Sequence, residues 1–205
     1  MKGLKHSIVA IFFLAFILLV GCKKSANDPQ PEIPIIDLVE HTVDVTFDGI
    51  NCIKIIDLDA DGDEDIVGGS ETTPYTRSRG VAWWRNEGGN PPQWIRLTVD
   101  PNFEHVMSVD VTDIDGDTYP DIIATSWSRH EIAWWKNTGT PTSNWARSLI
   151  TSNFTNAHDA QCMDINGDGY TDVAGIGLGG DVLVWYNDGS DPPNWAVQTL
   201  STSFA

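Results

Sequence analysis

Apolar residues in this 205-residue chain gather in short runs that return at a long, regular spacing. Ile66-Val67, Ile122-Ile123 and Val173-Ala174 are each followed by a second run: Val81-Ala82-Trp83-Trp84, Ile132-Ala133-Trp134-Trp135 and Val182-Leu183-Val184-Trp185. Short runs bounded by turn residues read as strands, and near-continuous apolarity reads as a strand buried on both faces. Phe47, Phe103 and Phe154 stand ahead of each unit, and Trp94, Trp145 and Trp195 follow loops rich in Pro, Gly, Asn and Ser. Each unit therefore predicts strand, loop, strand, turn, aromatic strand, turn, strand. The period is about 50 to 56 residues, which implies a propeller, solenoid or array. Four short strands per unit match one propeller blade, whose sheet packs face to face with its neighbours around an axis. Trp84, Trp135 and Trp185 are then expected between blades.

The loop between the first two strands of each unit carries an acidic ladder. Its three copies are Asp57-Leu-Asp59-Ala-Asp61-Gly-Asp63-Glu-Asp65, Asp113-Ile-Asp115-Gly-Asp117-Thr-Tyr119-Pro-Asp121 and Asp164-Ile-Asn166-Gly-Asp168-Gly-Tyr170-Thr-Asp172. Oxygens at positions 1, 3, 5 and 9, with the backbone carbonyl of Asp63, Tyr119 or Tyr170 at position 7, can wrap a hard cation that takes about 6 to 8 oxygen ligands. Without a cation, so many carboxylates would repel one another. An EF-hand opens similarly but closes with a bidentate Glu at position 12. Gly68, Ala124 and Gly175 stand there instead, and the residues after position 9 suit a strand rather than an exiting helix.

The ladder followed by an aromatic strand ending in Asn86, Asn137 or Asn187 resembles the FG-GAP and VCBS repeat family, whose loops are like the calcium loops of integrin α-subunit propellers. The resemblance covers residues 38–205. It implies an all-β propeller of three four-stranded blades, about residues 48–101, 104–152 and 155–203, with calcium held in three loops by the Asp or Asn at positions 1, 3, 5 and 9. The second loop departs from the pattern at position 6, where Thr118 replaces Gly62 and Gly169. A β-branched residue in a left-handed turn costs roughly 1 to 2 kcal/mol. This site is expected to bind about tenfold more weakly, or to turn by a different backbone route. Residues 38–46 align with the last strand of a blade, giving an orphan strand, and Phe204 reaches the repeat's opening Phe. The chain thus reads as the amino-terminal part of a longer propeller, with closure by self-association as the alternative.

Residues 1–21 read as a signal peptide: Lys2 and Lys5 precede an apolar run from Ile8 to Val20, and Leu19-Val20-Gly21-Cys22 resembles a bacterial lipobox. The run is too short for a comfortable membrane span of about 20 residues. Cys22 is expected to be acylated and amino-terminal after cleavage. Residues 22–37 form a proline-rich tether, and Lys23 after the Cys is compatible with the outer membrane of a bacterial cell envelope. Cys52 and Cys162 stand at different register positions, so no disulfide is expected between them. Cys162 aligns with Ile55 and Val111 as a small core residue.

Twelve basic against 29 acidic residues give a net charge of −17, and losing the two leader lysines makes it −19. Nucleic acid is a poor partner for such a chain. No nucleophile elbow, zinc-protease helix or phosphate-cradling loop is present in the sequence. His41, His105, His130 and His158 share no register, and the Asn and Gly after the aromatic strand read as turn residues. The recurrence of the acidic groups argues for structure rather than a single active site. The reading is a calcium-binding, lipid-anchored module that binds a protein or a carbohydrate. Trp83, Trp134, Trp94, Trp145 and Trp195 are the candidates for stacking on sugar. The alternative is the non-catalytic or amino-terminal part of a polysaccharide-active lyase or hydrolase, with the polar insertion over residues 70–79 as the longest departure from the repeat.

Overall fold

The computed structural model of the protein describes residues 39–71, 80–140 and 145–202. The signal peptide, Cys22, the tether, most of the insertion over 70–79 and Phe204 lie outside the described residues. Twelve strands form three antiparallel sheets of four, each built from consecutive strands. The first sheet holds β1 (Ile50–Ile56), β2 (Asp65–Ser70), β3 (Val81–Asn86) and β4 (Trp94–Asp100). The second holds β5 (Val106–Thr112), β6 (Asp121–Ser126), β7 (Glu131–Lys136) and β8 (Ala146–Thr151). The third holds β9 (Ala157–Met163), β10 (Asp172–Gly177), β11 (Val182–Asn187) and β12 (Trp195–Ser201). β1 lies beside β5 and β5 beside β9, so the first strand of each sheet is innermost. This is the blade arrangement expected from the repeat: an all-β, propeller-like fold.

The two-sided apolarity of β3, β7 and β11 is used as the pattern requires. Paired residues of an antiparallel sheet share a face, so Trp83 and Trp84 point to opposite sides of the first blade. Trp83 meets Trp135, Val109 and Ile122 of the second blade in one core cluster. Trp134 meets Trp185, Phe154 and Val173 of the third blade in the next. The opening Phe of each unit stands edge-on to the second aromatic of its own third strand: Phe47 on Trp84, Phe103 on Trp135 and Phe154 on Trp185, with ring centroids 5.0, 5.0 and 4.9 Å apart. Such aromatic pairs add about 0.5 to 1.5 kcal/mol beyond their buried area. The inner strands have no shared ladder and are linked through side chains instead. Asp110 on β5 pairs with Lys54 on β1 at 2.8 Å and accepts from the Cys162 backbone N–H on β9 at 3.0 Å.

The expected orphan strand is not formed. Residues 39–49 contain no strand. Side chains hold the segment: Val43 and Phe47 pack on Ile66, Ala82 and Trp84, and Asp44 accepts from Trp84 Nε1 at 3.0 Å and Arg96 at 2.8 Å. The segment partly covers the face of the first blade that points away from the second, where Ile53 and Ile55 are still exposed. On the outer face of the third blade Ile176 and Met163 are exposed, as expected for open blade faces. Cys52 and Cys162 are unpaired, as expected, and burial pushes the Cys52 thiol up to about 12 and Cys162 also well above its ordinary value. Among the described residues no helix is long and apolar enough to cross a membrane.

Candidate metal centres

The three acidic ladders join the first and second strands of their blades, so all three lie at one end of the propeller. The aspartate at position 1 shapes each loop from within. Asp57 accepts from the N–H groups of Asp61 and Gly62 at 3.1 and 3.0 Å. Asp113 accepts from Gly116 and Thr118, and Asp164 from Gly167, Asp168 and Gly169. The position 5 carboxylate accepts from the N–H of position 7 in every loop: Asp61 from Asp63, Asp117 from Tyr119 and Asp168 from Tyr170. These bonds turn the backbone through two left-handed residues at positions 4 and 6. Gly167 and Gly169 supply both in the third loop, at φ 81° and 93°. The second loop takes the same route with Gly116 and Thr118 at φ 81° and 77°, so the alternative route for Thr118 is not used. In the first loop the strained residue is Ala60, at φ 61°.

Asp57, Asp59 and Asp61 bring carboxylate oxygens within 4.8 Å of one another, and so do Asp113, Asp115 and Asp117. These clusters can hold a metal ion. In the third loop the middle member is Asn166, which accepts from the Asp168 N–H at 2.9 Å and donates to its carboxylate at 2.9 Å. The fit to a cation can be tested on the polar atoms themselves. Asp59 Oδ1 is buried with no hydrogen-bond partner, an acceptor that a cation would satisfy. Burial first, and then the neighbouring Asp61 charge, hold its carboxyl above the usual carboxylate range. In the second loop the Lys136 ammonium fills this role. It binds Asp115 Oδ2 closely and stands 3.3 Å from Asp117 Oδ2, and the hydrogen bond to Asp115 holds the Lys136 ammonium above its ordinary value. Both loops are therefore built for positive charge.

Position 9 sits deeper. Asp65, Asp121 and Asp172 are fully buried. One oxygen of each accepts from the position 2 N–H (Leu58, Ile114, Ile165) at 3.2, 3.0 and 3.0 Å. The other accepts from the backbone N–H of Asn86, Asn137 or Asn187 at 2.7, 2.7 and 2.9 Å. Burial pushes Asp121 up to about 7, its backbone donors opposing and Asp115 and Asp117 adding to the rise. The side chains at position 7 fold away from the acids. Tyr119 and Tyr170 lie against Gly139 and Gly189, where an added Cβ would come within 2.3 and 2.2 Å of the rings. Those glycines are required for that contact.

The asparagines do more than end a strand. Asn137 Nδ2 donates to the Pro120 carbonyl of its own loop at 3.1 Å and to the Leu58 carbonyl of the first loop at 3.0 Å. Asn187 does the same for Thr171 and Ile114, at 3.2 and 2.8 Å. Position 2 of the first two loops is thus clamped by the following blade, and Leu58 and Ile114 are 1% and 2% exposed while Ile165 in the third loop is 38% exposed. Of the histidines, His130 accepts from the Asn156 N–H at its Nδ1, and His105 and His158 line a common cavity at the opposite end. Trp83 and Trp134 are buried in the blade core and cannot stack on sugar. Trp94, Trp145 and Trp195 are half-buried against the same clusters.

A profile of the FG-GAP-like repeat matches residues 57–124 and again 113–175. Each match runs from the first Asp of one ladder through position 12 of the next. No curated protein sequence matches the chain.

Proposed function

The chain belongs to the FG-GAP-like repeat family, and from that premise we propose that it is a calcium-stabilised propeller module that binds a ligand at a bacterial cell envelope, anchored through an acylated Cys22. The single observation that carries the calcium reading is the unpartnered, buried Asp59 Oδ1 inside a three-carboxylate cluster. Asp57, Asp59 and Asp61 would hold the ion in the first loop, Asp113, Asp115 and Asp117 in the second, and Asp164, Asn166 and Asp168 in the third, with position 9 holding each loop in shape from beneath. A bound divalent cation supplies the charge that cancels repulsion among these acids. It would stabilise the fold by mass action, since the unfolded chain lacks the assembled loop.

Lys136 and Thr118 both weigh against the second loop, so its affinity is expected to be the lowest of the three. The anchor rests on the Leu-Val-Gly-Cys sequence and the short apolar run before it. Thermal unfolding in calcium and in chelator tests the first half of the reading. Tm should rise with calcium concentration, and an unchanged Tm would remove it. Labelling with radioactive palmitate in a bacterial host tests the second half. The native chain should take up label and the Cys22→Ser variant should not.

A further inference from the structure

The end of the propeller opposite the acidic loops holds a cavity of about 290 Å³ lined by Glu71, His105, Met107, Trp127, His158 and Leu178. All six come from only three positions of the repeat. Gly49, His105 and Asn156 share the first position, Asn51, Met107 and His158 the second, and Glu71, Trp127 and Leu178 the third. The backbone there is the same in every blade. Residues at the first position are left-handed, with φ of 64°, 48° and 53°. Their carbonyls accept from the N–H of Glu71, Trp127 and Leu178 at 2.9, 3.0 and 3.1 Å. Ser70 and Ser126 brace the same turn, donating to Asp48 and Glu104 carbonyls at 2.9 and 2.5 Å. A constant frame thus displays side chains that differ from blade to blade. This is the reverse of the acidic end, where each blade repeats the same chemistry.

One of these choices departs from the pattern of the repeat. His105, like Gly49 and Asn156, is a residue type that accepts a left-handed backbone. It lies edge-on to Trp127 with ring centroids 6.1 Å apart, and its Nδ1 has no hydrogen-bond partner. Trp127 is 38% exposed. Of the nine tryptophans it alone belongs to none of the three aromatic positions of the repeat. An exposed indole where the repeat reserves no aromatic, beside an imidazole nitrogen without a partner, points to recognition.

We infer that this cavity is a carbohydrate site that takes one neutral pyranose ring, stacked on the Trp127 indole with its hydroxyls toward Glu71 and His158. The inference rests on the reading of the chain as a ligand-binding module and names the ligand class. The cavity is at the small end of the roughly 300 to 1,000 Å³ usual for small-molecule sites, so it suits a single ring. Trp127, Met107 and Leu178 offer an apolar wall, and the carboxylate and imidazole groups can exchange hydrogen bonds with hydroxyls. An anionic ligand is disfavoured, because among the described residues no Lys or Arg lines the cavity, Glu71 does, and the chain carries −17. A quaternary ammonium ion is the competitor, but it favours a cage of several aromatic faces, and among the described lining residues Trp127 supplies one.

The full chain, loaded with calcium, should be titrated with methyl α- and β-hexopyranosides and methyl N-acetylhexosaminides, followed by saturation-transfer NMR, with tetramethylammonium as the cation probe. At least one pyranoside should bind. Trp127→Leu, which installs the residue found at this place in the third blade, should weaken binding roughly tenfold. Glu71→Gln should weaken it by a smaller factor, and Trp94→Phe should leave it unchanged. Binding of no pyranoside, equal binding by Trp127→Leu, or binding of tetramethylammonium alone would each overturn the assignment. Calcium titrations of the same samples keep the two readings apart. Calcium uptake without sugar binding removes the pocket assignment and leaves the module intact, whereas sugar binding without calcium uptake does the reverse.

Discussion

The two ends of this propeller are built on equally regular backbones and use their side chains in opposite ways. At the ladder end, position 1 bonds inward, position 5 receives the position 7 N–H and position 9 is buried, in all three blades. At the opposite end the same turn recurs, but Glu71, Trp127 and Leu178 have nothing in common. Chemistry repeated once per blade serves something each blade needs, such as relief of charge repulsion. Chemistry that occurs once serves something the molecule meets once.

The sharpest break between the ends should come with pH in chelator. Asp121, Asp65 and Asp59 all have raised carboxyls in the ion-free fold, Asp121 up to about 7. The folded state then holds protons that the unfolded chain has released, so stability present at about pH 4 is lost as pH rises toward 7. The change is roughly 2 to 4 kcal/mol. Asp44, held low by hydrogen bonds from Trp84 and Thr46 that outweigh its burial, works the other way only below its ordinary 3.8, so the scan should stay above pH 4. In calcium the trend should reverse, because acid then competes with the ion. Urea unfolding across that window in both buffers checks the sign.

Asn137→Ala should come next. It leaves the carbonyls of Leu58 and Pro120 without their donor, costing about 1 to 3 kcal/mol. It should also lower calcium affinity in the first loop, although the substitution lies in the second blade. Asn86→Ala touches only the loop of its own blade among the described residues, so paired calorimetry of the two variants isolates the clamp between blades. Lys136→Met should act in two directions. Without calcium it removes the counter-charge of Asp115 and Asp117 and lowers Tm. With calcium it should tighten the second loop, on the order of tenfold. The smallest effects belong to Thr118→Gly and Ala60→Gly, each relieving a left-handed residue by roughly 1 kcal/mol, with no change at the pocket end.

Much of the ladder end was legible in the sequence because its spacing is local: nine consecutive residues contain both the acids and the turns they hold. The blades were legible for a related reason, since the Trp84, Trp135 and Trp185 positions fix the strand that must be buried on both faces. What escaped depends on a neighbour. Asn137 and Asn187 read as turn residues because their partners are carbonyls of the preceding blade, which no local pattern displays. Lys136 carried a signal in hindsight, as a cation beside a loop of acids, with Arg85 at the same place in the first blade. Ala60 stands where the other loops have Gly116 and Gly167, and this discrepancy was as visible as Thr118. The expected strand is not formed over 39–46, where side chains on Trp84 and Arg96 rather than a ladder hold the segment, contacts that no local pattern displays. Trp127 fits no aromatic register of the repeat, and that misfit is its strongest mark.

Titration of calcium into the chelated protein tests the central claim most directly, with the wild type beside Asp59→Asn and Asp115→Asn. We expect calcium binding that the first variant reduces at one site, while the second removes the weakest site and leaves the others. Absence of heat and of any Tm shift in wild type, or binding that neither substitution alters, would contradict the account.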